Sequence, residues 1–118
     1  MTRNHPETLN ELNRSISRLR NGIPETMKGF AAMASAAKAA GALDPKTKEL
    51  VATAISVAVR CDGCIDSHVK AAEQQGVSRD EMLEVLAMAV YMGGGPSVAY
   101  AALALDAYEQ FSERFAES

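Results

Sequence analysis

Apolar residues recur at three- and four-residue spacings along this chain, and nowhere do β-branched residues alternate with polar ones. The first spacing lines up one face of a helix, whereas alternation would have marked a strand. An all-α fold is therefore expected. Residues 7–20 carry Leu9, Leu12, Ile16 and Leu19 on one stripe, with Asn10, Glu11, Arg14 and Arg18 off it. Asn21-Gly22 reads as a stop and Ile23-Pro24-Glu25 as a start, since Pro is tolerated in a first helical turn. An Ala-rich helix follows over residues 27–40, closed by Gly41. Asp44-Pro45 caps a third, to about residue 59, and a fourth spans 62–75 before Gly76. Ser78-Arg79-Asp80-Glu81 is a capping-box pattern opening a fifth, and Gly93-Gly94-Gly95-Pro96 separates it from a last helix over about 97–115. About six helices are thus expected, in one domain covering residues 1–118.

Aromatic residues make up only 5% of the chain and Trp is absent, so the core must be built from Ala, Val, Leu, Ile and Met. Small side chains allow close helix approach but bury little area each, which favours a homo-oligomer. The Ala-rich helix with Met27, Phe30 and Met33 fits either plain core packing or a subunit interface. In the third helix Leu50, Val51, Ala54, Ile55, Ala58 and Val59 form the apolar side, while Glu49, Thr53, Ser56 and Arg60 form a polar stripe. Such a stripe is ordinarily a solvated face, but this one leads directly into the cysteines, which favours a functional role.

The net charge of −3, without a Lys/Arg cluster, makes nucleic acid and anionic membrane poor partners. No apolar run reaches the roughly 20 residues of a membrane span. Residues 1–7 lack the apolar core of a signal peptide, so a cytoplasmic location is expected. A structural disulfide does not ordinarily persist there. The Gly-rich break lacks the Lys-Ser/Thr and the preceding strand of a phosphate-binding loop and reads as a tight turn.

Chemistry concentrates in Arg60-Cys61-Asp62-Gly63-Cys64-Ile65-Asp66-Ser67-His68, which holds both cysteines and one of the two histidines. With a helix starting near Asp62, Cys61 is the N-cap, Cys64 lies in the first turn, and His68 follows one turn later on the same face. Sulfurs three residues apart can join across the turn. A free thiol has a pKa of about 8.5, and lowering it to about 7 takes roughly 2 kcal/mol. An exposed helix N-terminus supplies about 0.3–1 kcal/mol. A second contributor is needed, and His68 stands nearest to Cys64. Asp62 and Asp66 place negative charge near the sulfurs, which opposes a thiolate, and Arg60 offsets part of it.

Other readings compete. A structural zinc site needs four ligands, and only Cys61, Cys64, His68 and either Glu49 or His5 are available, three of them in one short segment. A bound metal or other bound cofactor is therefore not expected. A thioredoxin-type CxxC follows a strand, and no strand is expected here. Two inert thiols beside a surface histidine remain an alternative.

The spacing Glu49-x11-Cys61-x2-Cys64-x3-His68 resembles the signature of AhpD-like alkylhydroperoxidases, which belong to the carboxymuconolactone decarboxylase superfamily. The Gly-rich turn and following Ala-rich helix are also similar, and the resemblance covers roughly residues 20–112. It implies a helical subunit assembled into trimers or hexamers. It implies that Cys64 attacks the O–O bond of an organic hydroperoxide, that Cys61 resolves the sulfenic acid to a disulfide, and that Glu49 and His68 relay protons. An external dithiol reductant of lipoyl type would reset the pair. The AhpD type carries a second His inside its CxxC, where this chain has Asp62-Gly63. Decarboxylases of the superfamily act on a lactone by acid–base chemistry without relying on a Cys pair, so both cysteines favour the redox branch. A lactone enzyme of that type and a non-catalytic, redox-sensing helical assembly are the alternatives.

Overall fold

The computed structural model describes residues 3–116 and contains α1 (His5–Gly22), α2 (Pro24–Lys38), α3 (Pro45–Ala58), α4 (Asp62–Gln74), α5 (Arg79–Gly93) and α6 (Gly95–Ala116). No strand occurs among the described residues. Local chemistry sets most of the boundaries. The Asn4, Asp44 and Ser78 side chains accept from the backbone N–H of Glu7, Thr47 and Glu81, and the Ser78–Glu81 capping box is reciprocal. Asn4 starts α1 two residues earlier than the apolar stripe does, and α2 ends at Lys38 rather than at Gly41. Of the Gly-rich break only Gly94 lies outside a helix, at φ 72° and ψ −153°, a region open to Gly alone.

Helices α3 to α6 pack around Val57, Ile65, Val69, Met82, Leu86 and Phe111, with Leu9 added from α1. Ala101, Ala104 and Ala107 give α6 a smooth buried side that the neighbouring helices approach closely. The buried Tyr108 hydroxyl donates to the Val77 carbonyl at 2.6 Å, so its polar end is satisfied.

The α3 face differs from expectation, and α2 follows one of the two readings open to it. In α3 three of the four polar-stripe residues are buried: Glu49, Thr53 and Ser56 face inward with Val57, while Arg60 is exposed, as are Val51, Ile55 and, at the C-cap, Val59. The hydroxyls tolerate burial because Thr53 Oγ1 donates to the Glu49 carbonyl and Ser56 Oγ to the Ala52 carbonyl, at 2.8 and 2.7 Å. Helix α2 buries no residue at all, so it is not part of this subunit's core. Its C-terminal end is tied to α3 by Lys48, whose ammonium donates to the carbonyls of Ala37 and Ala39 at 2.9 and 2.5 Å.

Candidate active site

The inversion of α3 builds the site. Burying the Glu49 side of α3 against α4 brings the carboxylate to His68, with Glu49 Oε2 2.9 Å from His68 Nδ1. Glu49 is nearly enclosed, whereas the His68 side chain is one-third exposed. A carboxylate accepts, so Nδ1 carries the proton, and Nε2, which has no hydrogen-bond partner among the described residues, is left to take or give one.

The α3–α4 link sets the cysteines. Arg60, at φ 61°, is the one non-glycine residue with positive φ among those described, and it reverses the chain directly before Cys61. Cys61 then caps α4 as expected, its Sγ accepting from the Cys64 N–H at 3.2 Å. The two sulfurs are joined in a disulfide, with Cα atoms 5.2 Å apart, and both residues are partly exposed. His68 follows Cys64 by one turn of α4. Glu49, His68 and the Cys61–Cys64 pair thus stand on adjoining parts of α3 and α4.

The aspartates have partners of their own. Asp62 pairs with Arg3 at 3.1 Å, and Asp66 is buried against His5, Oδ1 to Nδ1 at 2.5 Å. His5 Nε2 lies 3.2 Å from Asp106 Oδ2, and Gln110 bridges the His5 N–H and the Arg3 carbonyl. Two hydrogen bonds among three groups need two protons, shared by the imidazole and the carboxyls. Burial pushes the Asp66 carboxyl up from its ordinary pKa, and the His5 hydrogen bond opposes this in part. His5 is therefore committed to Asp66 and Asp106 and is no partner of the cysteines, and no cluster among the described residues could hold a metal ion. Sequence reasoning missed this triad because its members lie 61 and 101 residues apart; Asn4 and Pro6 signal only that His5 opens a helix.

A cavity of about 500 Å³ opens beside Glu49 and His68. Phe30, Ala34 and Ala37 of α2, Leu43 of the link, and Val51, Ala52 and Ile55 of α3 supply an apolar wall. Lys38, Lys48 and Ser67 complete the lining, and neither cysteine belongs to it. Its α2 side had no sequence signal beyond the Ala-rich composition.

Comparison with known proteins agrees with this architecture. Residues 24–107 match the model of the carboxymuconolactone decarboxylase family. An uncharacterized protein of Cupriavidus necator is 37% identical over 105 residues, covering 89% of this chain and 93% of that one. The crystal structure of an apo carboxymuconolactone decarboxylase family protein from Legionella pneumophila superimposes with a TM-score of 0.89 at 47% identity, covering 92% of this chain and 96% of that one. A crystal structure from Thermotoga maritima has a TM-score of 0.84 at 29% identity, covering 95% and 99%. The chain belongs to the carboxymuconolactone decarboxylase family.

Proposed function

We propose that the protein is a thiol-dependent peroxidase that reduces organic hydroperoxides through the Cys61–Cys64 pair. The observation that carries this reading is the Glu49–His68 hydrogen bond, one helical turn from Cys64 and beside an apolar cavity. In the reduced protein, His68 Nε2 takes the Cys64 proton, and the thiolate attacks the terminal oxygen of the hydroperoxide. The O–O bond breaks, an S–O bond forms, and the alkoxide leaves as an alcohol with the proton from His68. Cys61 then attacks the sulfenic sulfur, releasing water and forming the disulfide present in this structure. An external dithiol, of lipoyl type by the family resemblance, reduces that disulfide by exchange and is itself oxidised. Glu49 holds the imidazole in the productive tautomer throughout. The reading includes a homo-oligomer, trimer or hexamer, acting in the cytoplasm with no bound cofactor.

Stopped-flow oxidation of the reduced protein by cumene hydroperoxide, followed by thiol counting and mass spectrometry, tests it. We expect rapid loss of two thiols, a stalled sulfenic acid in Cys61→Ser, and no reaction in Cys64→Ser despite intact helicity. Oxidation no faster than that of a model thiol would overturn the peroxidase reading. Lactone turnover by protein alkylated at both cysteines would establish the acid–base branch instead.

A further inference from the structure

We infer that the cavity beside His68 selects an anionic amphiphile, an organic hydroperoxide bearing a carboxylate on an apolar body, and that Lys38 is its anchor. The inference rests on the peroxidase reading for the reaction, but not for the binding preference. A cavity of about 500 Å³ is far larger than the roughly 30 Å³ share of a water-sized molecule and falls in the range of small-organic-ligand sites. Hydrogen peroxide would leave its apolar wall wet, whereas a body that reaches Phe30, Leu43 and Ile55 would cover it.

Charge supplies the second half of the argument. Four charged or ionisable groups line the cavity: Lys38, Lys48, Glu49 and His68. Glu49 is engaged with His68, and the Lys48 ammonium is spent on the Ala37 and Ala39 carbonyls. The Lys38 ammonium has no hydrogen-bond or ion-pair partner among the described residues and is exposed in the last turn of α2. The Lys48 and Glu49 charges at the cavity oppose one another, which leaves the Lys38 ammonium as the charge with no partner among the described residues, set beside an apolar wall. A carboxylate there gains an ion pair that a neutral ester or amide does not, while the apolar body is held alike in both. Because Lys38 is exposed, the preference is modest and screened by salt.

Two arms separate the preference from the reaction. Binding of octanoate and of octanamide is measured by NMR titration of the oxidised protein, which needs no turnover. Turnover of a fatty-acid hydroperoxide and of its methyl ester is measured with dithiothreitol as reductant. The acid form should be favoured about three- to fivefold at low salt in both arms, and the ratio should fall to about one in Lys38→Gln or at high ionic strength. Lys28→Gln, also on α2 but outside the cavity lining, should keep the wild-type ratio. An acid-to-neutral ratio of one in wild-type protein, or a ratio unchanged in Lys38→Gln, overturns the inference and leaves the peroxidase reading intact. Octanoate preference without turnover of either hydroperoxide supports the anion site and overturns the peroxidase.

Discussion

His68 has one ring nitrogen occupied by Glu49 and one free, so the two residues should fail differently when replaced. His68→Asn removes the proton carrier, and peroxide reduction should fall about 10²–10⁴-fold, the usual range for a lost acid–base group. Glu49→Gln keeps the imidazole but weakens its orientation, so the loss should be smaller and the pH–rate profile should move. Equal losses in both variants, with an unmoved profile, would contradict the relay. Two glycines offer a sharper steric contrast. A Cβ on Gly93 would run into the buried Ser97 side chain, whereas one on Gly63 would meet the flexible, partly exposed end of Leu12. Gly93→Ala should cost about 1–3 kcal/mol in denaturant unfolding, and Gly63→Ala clearly less. Asp66 carries a pH signature. A carboxyl raised by burial contributes stability below its ordinary pKa of about 3.9 that is lost as pH rises through the higher folded value. Asp66→Asn lacks that loss and keeps an acceptor for His5. Relative to wild type, the Asn variant should therefore fare better at pH 7 than at pH 4, and the opposite order in urea melts would show that His5 holds the carboxylate charged.

Among the elements, α2 is the one whose position depends on few bonds. It has no fully buried residue, and the Lys48 ammonium ties its last turn to α3 one residue before Glu49. Lys48→Met should raise amide hydrogen exchange across residues 24–38 by about fivefold, the equivalent of ~1 kcal/mol of local stability, while α3 to α6 stay protected. Unchanged exchange in α2 would mean that other contacts hold it. The contrast between α2 and its neighbours also explains what could be read from the chain beforehand. Caps at Asp44, Cys61 and Ser78 were legible because each is a side chain answering a backbone N–H three residues away. The order of six helices followed from those caps and from the glycines. The burial of α3 was not legible, since a period of 3.6 distinguishes two faces without saying which one the subunit encloses. Hydroxyls bonded to their own helix let the polar face be the inner one. Glu49, Cys61, Cys64 and His68 could be nominated by spacing, but the cavity and its Lys38 depend on where α2 comes to rest.

For the molecule as a whole, the apolar residues that α3 does not bury need an account. Val51, Ile55 and Val59 are 48%, 56% and 64% exposed, and Met88, Tyr91 and Met92 of α5 are 58%, 79% and 73% exposed. Ile55, Met88 and Met92 line one shallow depression, and Val51 and Met88 line another, so the two helices present a continuous apolar surface. Single exposed apolar residues are ordinary, but a contiguous patch of large ones marks a binding surface. A second copy of the chain is the occupant expected from the thin Ala-rich core, because the area the subunit does not bury internally is then buried between subunits. Val51 and Ile55 belong also to the wall of the cavity beside His68, so a copy seated on this face would reach the edge of that cavity. Met92→Glu tests the idea with little risk to the fold, since a change at an exposed surface position usually shifts stability by less than about 0.5 kcal/mol. Sedimentation equilibrium should give three or six times the 12.5 kDa chain for the wild type and the single chain for Met92→Glu at micromolar concentration. The dissociated variant should keep its helicity and its reaction with hydrogen peroxide, and lose efficiency towards bulky hydroperoxides as the edge of the cavity is uncovered. A wild-type protein that sediments as one chain would leave the patch to a different partner.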